Sequence, residues 1–138
     1  MNYQTADFQA VLYRICAEID LIQPELTEID SKLGDGDLGM SMTQGAAALR
    51  KMAQTPFDGT PGQFFLACAA AFNRAAPSTL GTLLSSAMRS AGKAWESDLC
   101  WSEYHLVSLP EVFACEISRR GKAQEGDKTI LDALIPYA

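Results

Sequence analysis

One histidine, no pair of cysteines at metal-clasp spacing and no apolar run of membrane-spanning length narrow this 138-residue chain before any motif is read. A lone His105 beside Tyr104 and Leu106 offers no second base, so no serine here gains a hydrolytic triad. Cys16, Cys68, Cys100 and Cys115 lie far apart, without a CxxC or flanking histidine. Three of them fall in helical apolar pattern, and all four read as free thiols, buried where the pattern is apolar. The N-terminus MNYQTADFQ lacks the basic and apolar regions of a signal peptide. Short apolar runs exclude a spanning helix, and the chain is expected to be cytoplasmic. Seventeen acids against eleven bases give a net charge of −6, which disfavours a nucleic-acid backbone as partner. Anionic small molecules stay possible, because a bound cation reverses the local sign.

What is present concentrates in Ile29 to Met40. Asp30, Asp35 and Asp37 fall within eight positions, and Gly34, Gly36 and Gly39 sit among them. Glycine permits the tight backbone that would turn such side chains toward one point. Converging carboxylates repel unless a cation neutralises them. With only oxygen donors at hand the fitting ion is hard, such as Mg²⁺, Mn²⁺ or Ca²⁺. The residues by themselves fit a metal loop and a solvated polar turn alike.

Apolar residues at Phe8, Val11, Leu12, Ile15, Ile19 and Ile22 predict a helix from an N-cap at Thr5 to about Ile22. Pro24 suits the first turn of a second piece ending near Ser31. A helix from Leu38 to Thr55-Pro56 follows, with Gly39, Met40 and Ser41 in its first turn. Its free amides would lie beside the aspartates, an arrangement suited to polyphosphate. Thr60-Pro61-Gly62-Gln63 is a helix start for the stretch to Ala76. Ser78-Thr79-Leu80-Gly81 opens another, Thr82 to about Trp95. Residues 96–107 are loop and part of a helix, and Ser108-Leu109-Pro110-Glu111 reads as a capping box for a helix to Arg120. Gly121 ends it, and a short helix spans Thr129 to about Leu134. No strand is expected. The fold class is all-α, a single-domain up-and-down antiparallel bundle or barrel over residues 1–138, whose glycine-bearing polar loops collect at one end.

Two motifs fail on inspection. An EF-hand from Asp35 would place Gly39 and Ala46 at ligand positions. Gly121 to Thr129 mimics a phosphate loop, but Asp127 intrudes before Lys128 and a helix, not a strand, precedes it. Lys32 and Lys128 are candidates for neutralising charge near the loop, or simply exposed lysines. Trp95 and Trp101 are expected to pack in a core or interface.

Three blocks in order carry a resemblance: Asp30-x4-Asp35-Gly36-Asp37-x-Gly39-x-x-Met42, then Pro77-Ser78-Thr79-Leu80-Gly81-Thr82, then Gly121-x4-Gly126-Asp127-Lys128-Thr129-Ile130-Leu131-Asp132-x-Leu134. Together they resemble the L subunit of dihydroxyacetone kinase, the DAK2-type nucleotide-binding domain. The middle block departs from that family's commoner Gly-Ser-Ser-Gly or Gly-Ala-Ser-Gly pattern. The resemblance implies a ring of antiparallel helices that binds ATP or ADP at one end. It implies that Asp30, Asp35 and Asp37 hold two Mg²⁺ ions, and that backbone from Leu38, Gly39, Met40 and Ser41, and at Thr79 and Leu80, cradles phosphates. Gly121 and Ile130 would lie near base and ribose.

The same resemblance implies phosphoryl transfer to dihydroxyacetone or a similar hydroxyketone held by a partner K subunit. The donor would be ATP or a phosphocarrier protein that rephosphorylates bound ADP. The family domain continues past the last block with further helices, so the expected ring is open on one side, its apolar edge covered by a homo-oligomer or another chain. A shortened, non-catalytic binding or regulatory module is the alternative expectation.

Overall fold

The computed structural model describes residues 1–138 and is built from five long helices, a short sixth, and one two-residue strand pair. Helix α1 spans Thr5–Ser31, α2 Leu38–Gln54, α3 Pro61–Ala75, α4 Thr79–Ala94 and α5 Glu103–Gly121. Helix α6, Leu131–Leu134, runs into a 3₁₀ turn at Ile135–Tyr137. Consecutive long helices pack side by side, giving the all-α up-and-down order that the sequence predicts. No helix is long and apolar enough to cross a membrane.

The core has two parts. Cys16, Met42, Ala46, Leu49, Phe64, Cys68 and Phe72 bind the first three helices together, with Phe8, Ile19 and Leu26, and Leu80, Leu84 and Met88 of α4, packed on them. Ala87, Ala114, Ile117 and Leu131 join α4, α5 and α6. Small residues set the spacing. A Cβ at Gly45 would penetrate the Phe72 ring, and one at Gly62 would lie 2.6 Å from the Trp95 carbonyl oxygen. Helix α1 also exposes an apolar stripe, Val11, Ile15, Ile22 and Ile29, on one side of its buried face.

Several expectations need correction. Helix α1 is continuous through Pro24, not two pieces. An interior proline costs about 3 kcal/mol, but Ile19 before it and Leu26 after it pack on the same cluster, so α2 and α3 clamp both halves in line. The α1 N-cap is Gln4, whose amide donates to Asp7 Oδ2 at 2.7 Å. Thr5 instead donates its hydroxyl to the Gly59 carbonyl at 2.7 Å. Helix α5 begins at Glu103 rather than near Ser108, with Pro110 inside it. Its start is capped by Ser102, whose N–H donates to His105 Nδ1 at 2.9 Å. A strand pair also forms: Asn2 and Tyr3 lie antiparallel to Ser102 and Trp101. All four cysteines are free, but Cys115 is exposed and Cys100 half-buried.

Thr60 caps α3 as predicted, in a reciprocal box with Gln63. Ser78 caps α4 by accepting the Gly81 N–H at 3.1 Å.

Candidate metal and phosphate site

The α1–α2 connection turns within six residues, 32–37. Lys32 and Leu33 amides close the last turn of α1, and Gly34 N–H donates to the Asp30 carbonyl at 2.6 Å. A Cβ at Gly34 would sit 2.6 Å from Asp30 Oδ1. Gly36 has φ +78°, a conformation that suits glycine. At Gly39 the backbone of α2 lies directly on α1, where a Cβ would collide with Thr27 Oγ1 and reach 2.5 Å from the Gln23 carbonyl. The glycines therefore do what the sequence suggests. They fold the loop back until oxygens of Asp30, Asp35 and Asp37 all lie within 4.8 Å of one another.

No protein cation pairs with these carboxylates. The ion pairs of the molecule involve none of the three aspartates, and Lys32 is engaged with Glu28 at 3.1 Å. The Asp35 carboxylate, then desolvation and Asp30, push the Asp37 carboxyl above its ordinary value. Asp30 is partly satisfied, because Oδ2 accepts the Leu38 N–H at 3.2 Å. Asp37 N–H approaches Asp35 Oδ1 at 3.4 Å. A cluster of hard oxygen donors, mutually repulsive and uncompensated, fits a divalent hard cation.

These aspartates line one wall of a cavity of about 970 Å³. Leu38 forms part of the same wall, and Ser78, Thr79 and Leu80 at the start of α4 face it. The first turn of each helix holds amides that no intrahelical carbonyl can accept. In α2 the Leu38 amide is taken by Asp30 and the Ser41 amide by the Asp37 carbonyl, leaving Gly39 and Met40. In α4 the Gly81 amide is taken by Ser78 and the Thr82 amide by its carbonyl, leaving Thr79 and Leu80. Two helix N-termini thus present donors and positive dipole ends beside the carboxylates.

Of the other residues singled out in the sequence, Gly121 lines the cavity, whereas Gly39, Met40, Ser41 and Ile130 do not. Ile130 packs against the second core cluster. The Met40 side chain faces a separate groove with Asp20, Gln23 and Arg50. In the third sequence block the acids hold a loop: Asp132 accepts the Gly126 and Thr129 amides at 2.7 and 2.9 Å, which keeps its carboxyl below the ordinary value. Asp127 accepts the Gln124 amide at 2.9 Å, and Lys128 adopts φ +59° in the same loop. Asn73 and Arg120, absent from the sequence-based candidates, also line the cavity. No motif marks them; they arrive from the ends of α3 and α5.

His105 lies at the other end of the bundle. Its Nε2 is 3.0 Å from Asp98 Oδ2, and Ser102 Oγ is 3.0 Å from its Nδ1. The grouping has the members of a triad without its arrangement. The Nδ1 lone pair receives the Ser102 amide, so the arrangement is a helix cap that ties the 95–102 loop down.

Comparison with known proteins adds the following. The DAK2 domain model matches residues 32–138. Over 126 residues the chain is 32% identical to L-erythrulose 1-kinase of Mycolicibacterium smegmatis, covering 90% of this chain and 22% of that enzyme. It is 31% identical over 107 residues to the PTS-dependent dihydroxyacetone kinase, ADP-binding subunit DhaL, of Lactococcus lactis, covering 78% and 53% respectively. The PEP-dependent dihydroxyacetone kinase 1, ADP-binding subunit DhaL, of Listeria innocua is 29% identical over 113 residues, covering 80% and 56%. The chain thus spans about half of the two subunits and under a quarter of the longer kinase.

Proposed function

The chain belongs to the DAK2 domain family, and from that premise we propose that it holds a magnesium-bound adenine nucleotide for phosphoryl transfer to a small hydroxyketone. The observation that carries this reading is the meeting of three carboxylates with two helix N-termini in one cavity. Asp30, Asp35 and Asp37 would hold one or two Mg²⁺ ions, which supply the charge that neutralises phosphate oxygens. The Gly39, Met40, Thr79 and Leu80 amides would donate to those oxygens. Gly121 and Leu83 line the cavity and would face the nucleoside.

Phosphoryl transfer depends mainly on positioning and charge stabilisation, so a chain without a general base near the cavity is a sufficient nucleotide half. The hydroxyketone would be presented by a partner K-type subunit. Supporting a partner, two relatives are ADP-binding subunits of dihydroxyacetone kinases, and another is an erythrulose kinase. ADP retained on this chain and recharged by a phosphocarrier protein is the corresponding donor route.

Substitution tests the reading. Asp35→Asn keeps the side-chain shape and removes one charge. It is expected to weaken ADP binding in the presence of Mg²⁺ by at least about tenfold, a change of about 1.4 kcal/mol, with an unchanged helical circular-dichroism spectrum. Equal ADP affinity in the two proteins would show that the aspartates are not ligands.

A further inference from the structure

The acidic net charge conceals a basic groove. Between α4 and α5, next to the carboxylate cavity and sharing Asn73, Thr82 and Arg120 with it, lies a depression of about 580 Å³ without a single apolar lining residue. Four of the eleven lysines and arginines of the chain converge there: Arg89, Lys93, Arg119 and Arg120.

The placement is costly. Arg89 and Lys93 are four residues apart on α4, so they share one helix face and repel each other. Arg119 and Arg120, at the C-terminal end of α5, face them across the groove. Its single carboxylate, Glu116, is fully used by Arg119, which donates Nε and a terminal nitrogen at 2.9 and 2.8 Å. Arg89, Lys93 and Arg120 make no ion pair. Three cations without an ion pair therefore converge in a protein that carries surplus acid elsewhere.

We propose that this groove binds a small phosphate-bearing molecule. Arginine forks match tetrahedral oxyanions in shape and charge. Ser86 and Ser90, on the same face of α4 as the cations, offer hydroxyl oxygens to the rest of such a ligand. Without apolar lining, the ligand is a polar body such as a phosphorylated polyol. The site does not depend on the metal-nucleotide reading, because its residues need no divalent ion.

The test is a nuclear magnetic resonance titration of the whole chain in EDTA at constant ionic strength, first with inorganic phosphate and then with glycerol phosphate. Saturable shifts confined to residues 82–93 and 116–120 are expected, with the ester bound at least as tightly as phosphate. The double variant Arg89→Gln/Lys93→Gln, at exposed positions, should weaken binding at least tenfold, while Asp35→Asn leaves it unchanged. Shifts scattered over remote cations such as Arg14 and Lys51, or a double variant that titrates like the parent, would overturn the proposal. Binding of phosphate but not of the ester would also overturn it.

Discussion

The two ends of the bundle are built on opposite principles. At the end that holds the N-terminus of α1, side chains close the structure. Thr5 bonds Gly59, Gln9 bonds the carbonyls of Met52 and Thr55 at 3.2 and 2.7 Å, and Thr60 bonds Glu96 at 2.7 Å. Phe8, Phe65, Trp95 and His105 surround a fully buried Trp101. At the other end, three carboxylates face one another without a partner cation and four amides are left unclaimed. The difference teaches where each property resides. Apart from the buried Trp101 indole N–H, which has no partner, one end accumulates contacts that favour folding, and the other carries repulsion and unfilled donors that a cation and an anion would relieve. Such a division is common where a functional site is mounted on a rigid scaffold.

The comparison is broken most severely at Trp101. Trp101→Ala should lower unfolding free energy by about 3–5 kcal/mol in urea titration, because the removed ring contacts Phe8, Phe65, Trp95 and His105. Molecules that remain folded should bind Mg²⁺ and ADP as before, since the cavity lies at the far end. A large loss of ligand affinity at constant folded fraction would show that the ends are coupled.

A smaller effect is expected at Gly39, where the two α1–α2 surfaces touch. Gly39→Ala drives a methyl into Thr27 and the Gln23 carbonyl, an overpacking cost of about 1–3 kcal/mol. It should also displace the α2 N-terminus and weaken ADP binding. Unlike Trp101→Ala, it should fail both tests together.

At His105 capping can be separated from packing on Trp101. His105→Ala removes the acceptor of the Ser102 amide and should cost about 1 kcal/mol, while His105→Gln, which can accept the same bond, should recover most of it. Equal losses in the two variants would assign His105 to aromatic packing rather than capping.

The smallest effect has an unusual sign. The Asp37 pKa is raised in the folded state above its ordinary 3.8, first by Asp35. Ionisation is therefore harder in the folded than in the unfolded chain. Metal-free stability should fall slightly as pH rises from the ordinary carboxylate value through the raised one, and be fully present below it. Asp37→Asn should abolish that small fall, and saturating Mg²⁺ should reverse it. Urea midpoints across acid pH, with and without the ion, measure both.

Much of this architecture can be read from residues whose chemistry is local. Thr60-Pro61-Gly62-Gln63 and Ser78 announce helix starts because their hydroxyls cap nearby amides. The Asp30–Asp37 loop is legible because glycine and carboxylate spacing carries its own mechanism. What is not legible comes from distant packing. Pro24 and Pro110 read as first-turn prolines of new helices, yet both lie inside longer ones. The cap by His105 hides because the usual partner at that position is Glu or Gln. The strand pair of Asn2–Tyr3 with Trp101–Ser102 joins segments almost a hundred residues apart. Asn73 and Arg120 reach the cavity only once α3 and α5 are docked.

The most direct measurement is calorimetric titration of the chain with ADP, in Mg²⁺ and in EDTA. Saturable binding that requires Mg²⁺ is the predicted result, with the ion and the aspartates forming one side of the site and the α2 and α4 amides the other. Binding of equal strength in EDTA, or no binding in either buffer, would contradict the assignment of the open end to a metal-bound nucleotide.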